Sequence, residues 1–205
     1  MTLFDKLYPV HKKDIKKASS VLANAFSEDP IWKRIINEFN LNNETIPKIY
    51  EMPIRYCMRY GDVFASSKSL EGVIALVPGR KAIMTVWSAI RSGAFLLGVK
   101  LGMKFGKKIR RIFKIIEDDK KNLNIGQYYY IYIFGVSDVY QGKGFGGKIL
   151  RAIIDRSEKE GKSLYLETET VENVKFYEKF GFKVMKEIRL PELDLPMWEM
   201  VRKSH

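Results

Sequence analysis

Four glycines fall within six residues of the stretch VSDVYQGKGFGGKILRAIID, at Gly142, Gly144, Gly146 and Gly147, directly before a segment with helical apolar spacing. Phe145, Ile149, Leu150, Ile153 and Ile154 recur at i, i+3, i+4, and Gly161 stands where such a helix would stop. The start of a helix presents unpaired N–H groups and about half a positive charge, and glycine lets an anion approach them without an intervening side chain. The turn is therefore suited to a phosphate; the plainer reading is a tight turn that binds nothing. Two phosphate-binding patterns can be compared with it. Gly142, Gly147 and Lys148 match the P-loop, but Ile149 stands where the magnesium-binding hydroxyl belongs. Gly142, Gly144 and Gly147 satisfy G-x-G-x-x-G, with Glu167 at about the distance for a ribose contact, yet the chain beyond Gly147 holds too few strand–helix units for a doubly wound nucleotide domain.

The elements that position this turn follow from the pattern of the whole chain. Ile15, Ala18, Val21, Leu22 and Phe26 predict a helix, a break falls at Asp29-Pro30, and a second short helix follows. NNETIPKIYEMPIRYCMRYG predicts a third helix, made irregular by Pro47 and Pro53 and stopped by Gly61. GDVFASSKSLEGVIALVPG reads as a hairpin with its turn around Ser67 to Glu71. Lys81 to Lys121 is helical and basic, and QYYYIYIFGV has the composition of a strand buried on both faces. After the glycine turn and its helix come the β-rich SLYLETET, the short helix of VENVKFYEKFGF and a terminal β-rich run.

The 205 residues, 46% hydrophobic and 13% aromatic, suffice for one substantial core, so residues 1–205 are expected to form one domain. With 36 basic against 24 acidic residues, a formal charge of +12 favours an anionic partner: nucleic acid, an acidic membrane surface or a polyphosphate cofactor. The single Cys57 excludes a disulfide framework, and His11 and His205 make no cluster of metal-ligand spacing, so no metal is expected. The first residues lack the pattern of a signal peptide, and a cytoplasmic location is expected. Residues 82–103 are apolar enough to invite comparison with a membrane span, but Arg91 and Lys100 interrupt them.

Gln141-Gly142-Lys143-Gly144-Phe145-Gly146, following a strand that ends near Val136, resembles the Q/R-x-x-G-x-G/A signature of the GNAT superfamily of N-acetyltransferases. The downstream order agrees: NVKFYEKFGF is similar to the family's second cofactor element, a short helix with a tyrosine, here Tyr177, and a Gly-Phe, here Gly181-Phe182. AFSEDPIW, LET, NVKFYEKFGF and PMWEMVR look closest to the puromycin acetyltransferase-like branch. The resemblance implies a mixed, mostly antiparallel sheet of six or seven strands flanked by helices, an α/β (α+β) fold with its cofactor-binding half at about residues 125–205. It also implies acetyl-coenzyme A bound where two central strands part. The residues that match are Gln141, Gly142, Lys143, Gly144, Phe145, Gly146 and Gly147 at the pyrophosphate, and the backbone of Phe134, Gly135 and Val136 at the pantetheine arm and thioester, with Asn173 and Tyr177 nearby. Asp138 stands where the family commonly has proline, and Thr170 where many members have asparagine.

Acetyl transfer to an amine needs a neutral amine, a polarised carbonyl and a proton for the departing thiolate. A phenol of pKa about 10 is a reasonable donor to that thiolate, which gives Tyr177 a role; otherwise it packs with a wet hydroxyl. Alternation puts Tyr165, Glu167 and Glu169 on one strand face, with Leu164, Leu166 and Thr168 on the other, so Glu167 is the candidate general base. The plainer alternative is a solvated or N–H-bonded carboxylate, and amine acetylation can also drain its proton through water. The expected activity is direct attack of a small-molecule amine on acetyl-coenzyme A in a ternary complex. Alternatives are a protein or peptide amine as acceptor, or a basic membrane- or nucleic-acid-binding module without catalysis. In GVKLGMKFGKKIRRIFKIIEDDKK the reading preferred is a helix packing its apolar side on the domain, with no nucleic-acid or stable membrane association; Gly98, Gly102 and Gly106 would let it act as a mobile flap over the acceptor.

Overall fold

The computed structural model describes residues 3–121 and 123–204, and His205 lies outside the described residues. A two-residue strand that composition does not announce, β1 (Tyr8–Pro9), precedes α1 (Ile15–Ala25), the amphipathic helix expected there. Asp29 then accepts backbone N–H bonds from Ile31 (3.0 Å) and Trp32 (2.9 Å), and with Pro30 in the first turn it starts α2 (Pro30–Glu38). Helix α3 (Ile46–Tyr60) runs unbroken through Pro53. Gly61 follows it, though not in the left-handed conformation of a helix stop: a Cβ there would lie 2.1 Å from the Leu76 carbonyl oxygen. The glycine is required because the hairpin strands β2 (Asp62–Ala65) and β3 (Gly72–Pro78) pass against it.

The basic region forms α4 (Val86–Arg91) and α5 (Ala94–Lys120), the latter broken at Gly102, whose φ of 81° and ψ of 166° are non-helical. Among the described residues no helix is long and apolar enough to cross a membrane. Strand β4 (Tyr128–Val136), α6 (Phe145–Lys159), β5 (Ser163–Thr168), α7 (Val171–Glu178), β6 (Lys183–Leu190) and β7 (Leu195–Arg202) complete the chain. Gly161, at φ 61°, ends α6 as its position predicts, and the terminal run is a pair of strands.

The seven strands form one sheet in the order β1-β2-β3-β4-β5-β7-β6, antiparallel except for β4 beside β5. This is the mixed, mostly antiparallel sheet flanked by helices that the resemblance implies. One face carries α1 and α3 over Ala75, Val77, Tyr130 and Tyr165; the other carries α6 and α7 over Ile74, Ile131, Leu164 and Leu166. A third cluster joins Ile31 and Ile35 of α2 to Phe105, Ile112 and Ile116 of α5 and to Leu190 and Met197 of the terminal strands. The C-terminal half of α5 thus packs its apolar side on the domain as expected.

The pairing at the centre is incomplete. β4 pairs with β5 only through Tyr128–Ser163, Tyr129–Leu164 and Tyr130–Tyr165, after which the two strands part. On the other edge β4 stays on β3, where the register advances from Leu76–Ile131 to Ala75–Ile133 and leaves Tyr132 as the extra residue of a bulge. A bulge bends its strand and increases the local twist, so the deformation lies where β4 leaves β5.

Candidate active site

The glycine turn lies at the open end of β4. Gly142 and Gly144 both hold left-handed conformations, φ 72° and 84°, with no atom within 4 Å of where a Cβ would be. Here the backbone, not crowding, selects glycine, since a side chain in this conformation costs about 1–2 kcal/mol. Gly144 is the residue before α6, whose first turn has no side-chain cap. A Cβ on Gly146 would instead make ordinary 3.6 Å contacts with Phe134, Val136 and Phe176, which brings the ends of α6, β4 and α7 together.

The turn is anchored behind. Gln141 donates from Nε2 to the Val136 carbonyl (3.1 Å), and Asn24 of α1 accepts the Asp138 N–H (2.7 Å) and the Ser137 hydroxyl (2.9 Å). Asp138, where the family has proline, is therefore fixed by hydrogen bonding. Arg151, one turn further along α6, stacks on Phe180 beside Gly147 and adds an exposed cation that the glycine pattern did not mark. An uncapped helix start, two left-handed glycines opening on free space, and Lys143 and Arg151 nearby are the donor set of a phosphate site. The residues present fit the pyrophosphate of coenzyme A.

Where β4 and β5 part, a cavity of about 600 Å³ opens. Ile131 to Phe134 line it from β4, Leu166 to Glu169 from β5, and Asn173 and Tyr177 from α7. Its far wall is helical: Asp29 at the cap of α2 and Trp32 within it, Tyr50 of α3, Ile90 of α4, and Leu97 and Glu117 of α5. Gly135 has another role besides the one expected for its backbone: a Cβ there would lie 2.7 Å from that of Ala25, so the glycine admits α1 against the strand. Thr170, in place of the family's asparagine, starts α7 by accepting the Asn173 N–H at 3.2 Å.

Acidic groups are gathered in this apolar cavity. Glu169 is pushed well above the usual carboxylate range, by burial first and then by the charges of Asp29 and Glu167. Burial likewise raises Asp29 against the two N–H bonds it accepts from Trp32 and Ile31. Burial raises Glu117 too, with Lys120 opposing. Tyr177 is raised by burial and by the charge of Glu169, so its hydroxyl keeps its proton at neutral pH. Glu167 is differently placed. Its carboxylate lies 3.1 Å from Lys120 Nζ in an ion pair whose side chains are 7% and 5% exposed, and the same ammonium sits 3.8 Å above the Tyr130 ring.

The structure thus brings Phe134, Glu167, Asn173 and Tyr177 to one cavity, with Gln141 to Gly147 at the end of the same strand gap. Sequence reasoning did not select Asp29, Glu117, Glu169 or Lys120. Glu169 could have been found, since alternation placed it on the Glu167 face. Asp29 reads as a helix cap, and only the fold shows what else it faces.

Comparison with known proteins agrees with this architecture. The model of the family described as Acetyltransferase (GNAT) domain matches residues 109–184. An uncharacterised N-acetyltransferase of Schizosaccharomyces pombe is 30% identical over 192 residues, covering 88% of this chain and 75% of that protein. The chain belongs to the GNAT family of acetyltransferases. Solved structures share the fold: one from Corynebacterium glutamicum, described as histone acetyltransferase HPA2 and related acetyltransferase, superposes with a TM-score of 0.67 at 19% identity, over 98% of this chain and 96% of that one. Arylalkylamine N-acetyltransferase 2 from Aedes aegypti superposes with a TM-score of 0.66 at 13% identity, over 97% and 98%.

Proposed function

We propose that this chain is a single acetyltransferase domain that moves an acetyl group from acetyl-coenzyme A to a small-molecule amine, both held at once. The observation that carries the reading is the strand gap, with a bare, uncapped helix start at one end and an acidic, apolar-walled cavity at the other. The turn from Gln141 to Gly147 holds the pyrophosphate, and the free edge of β4 from Ile131 to Val136 runs along the pantetheine arm. Acetyl-coenzyme A supplies an activated acyl group on sulfur.

The remaining work falls to side chains. Asp29 and Glu169 attract a cationic amine into the cavity, and Glu169, made more basic by burial and like charge, takes the ammonium proton. As the nitrogen bonds to the acyl carbon and the carbon–sulfur bond breaks, the Tyr177 hydroxyl passes its proton to the sulfur, and the second proton that leaves the nitrogen restores the Tyr177 hydroxyl through water. Glu167 fixes the cavity wall through Lys120. The resemblance of AFSEDPIW to the puromycin acetyltransferase-like pattern supports a small acceptor, since its Asp29 lines this cavity. Aromatic and aliphatic walls around buried carboxyls suit an amine with an apolar body; the Aedes aegypti relative in fold is itself described as acting on arylalkylamines.

The test is coenzyme A release across a panel of amines. Release with apolar-bodied primary amines, and not with lysine-containing peptides, is the expected result. Release with peptides alone, or with no amine while coenzyme A still binds, would overturn the reading.

A further inference from the structure

The hairpin of α4 and α5 leaves a large apolar surface uncovered. Val86, Trp87 and Ile90 of α4 are exposed, as are Phe95, Leu96, Val99 and Met103 of α5, with Leu96 at 74% and Met103 at 81%. On each helix the residues before Gly102 recur at i, i+1 and i+4, which gathers them within an arc of about 100° and gives each helix an apolar stripe. Contiguous apolar surface with both tryptophan and phenylalanine marks a docking site, not ordinary surface scatter. The expected packing therefore holds for α5 from Phe105 onward, and before it Leu97 and Leu101 still pack against the same cluster while Phe95, Leu96, Val99 and Met103 stay exposed.

The charge around the stripe says what covers it. From Gly79 to Ile116 the sequence holds ten lysines and arginines and no aspartate or glutamate. Arg91, Lys100, Lys104 and Lys107 are exposed on the same two helices, and Arg91, Lys104 and Lys107 have no ion-pair partner among the described residues. An apolar stripe with an aromatic component, on helices that also carry unpaired cations, is the pattern of a helix lying in the headgroup region of an anionic bilayer. A folded protein partner would cover the stripe but leave these cations needing a matched acidic surface, and nucleic acid would leave Trp87, Leu96 and Val99 in water.

We propose that the α4–α5 hairpin docks this enzyme on an anionic lipid surface. Val86, Ile90 and Phe95 are exposed and also line the acceptor cavity, so the cavity opens on the stripe and, in the docked state, toward the lipid. An amine with an apolar body would then reach Asp29 and Glu169 from the bilayer. The docking itself does not depend on the acetyl-transfer reading and is tested without it.

The experiment is co-sedimentation of the full chain with phosphatidylcholine vesicles, with and without phosphatidylserine, over a range of salt. Binding is expected only with phosphatidylserine, weakening as salt rises because exposed charges are screened over about 8–10 Å near physiological ionic strength. Two variants separate the contributions: Trp87→Ser/Leu96→Ser/Val99→Ser and Arg91→Gln/Lys104→Gln/Lys107→Gln, none of which touches the cavity lining. Each should keep the wild-type melting transition and coenzyme A affinity and bind the anionic vesicles at least about tenfold more weakly. No vesicle binding, or equal binding without phosphatidylserine, would overturn the proposal. So would a wild-type dimer that the serine variant dissociates, which would assign the stripe to a second copy, or a gel shift with nucleic acid that only the glutamine variant loses.

Discussion

The two ends of the strand gap are built by different means. At the glycine turn four of six consecutive positions lack a side chain, and Gly142 and Gly144 hold left-handed conformations over open space. The cavity in turn gathers the side chains of Asp29, Glu117, Glu169 and Tyr177 from separate parts of the chain. A pyrophosphate is the same in every turnover, and a helix start serves any phosphate. An amine has a particular shape and charge, and matching it takes side chains that fold from distant parts of the chain.

If that contrast is right, the cavity should be sensitive to side-chain changes that leave the turn untouched. The largest effect is expected at the ion pair. Lys120→Met strands the Glu167 carboxylate in a buried site, and breaking such a pair costs about 3–5 kcal/mol. Denaturant unfolding checks this, and an unchanged midpoint would return Glu167 to the role of a free general base.

Tyr177→Phe should come next, with kcat down about 100-fold and coenzyme A affinity unchanged, because the hydroxyl acts only as sulfur departs. Full turnover under conditions where chemistry limits the rate would remove the proton-donor role.

Glu169→Gln sharpens the comparison through pH. The folded-state pKa of Glu169 lies above its unfolded value, so the folded chain binds this proton more tightly. Its contribution to stability is therefore lost as the pH rises from the ordinary carboxylate range through the folded value. The glutamine variant should match wild type below this window and gain stability on it above. The rise of kcat/KM with pH as Glu169 ionises should flatten in the variant, and a profile that keeps its limb would assign the proton to another acceptor.

The same contrast explains what could be read before the fold was known. The turn's geometry was legible because it lies in local backbone: glycine spacing, a helix period and a preceding strand are all features of neighbouring residues. Tyr177 was legible for the same reason, within the ten residues of NVKFYEKFGF. Glu167 was found by alternation, but its partner Lys120 lies at the end of a helix 47 positions earlier, and no local pattern joins them. Asp29 read only as part of a break before a short helix, and its burial beside Glu169 depends on α2 folding over the strand gap. The bulge at Tyr132 was hidden because β4 is aromatic and β-branched on both faces, which conceals a change of register. The exposed stripe on α4 and α5 was equally hidden, since helical period shows which residues share a face and not whether anything covers it.

The account rests most on the turn, and calorimetric titration of coenzyme A into wild type and Gly144→Val tests it directly. Valine at φ 84° strains the residue that starts α6 and puts a branched side chain into the space where the phosphate would sit. The variant should remain folded by circular dichroism and bind coenzyme A at least about tenfold more weakly, a loss of about 1.4 kcal/mol or more. A folded Gly144→Val protein with wild-type affinity would contradict the assignment of the turn to the pyrophosphate.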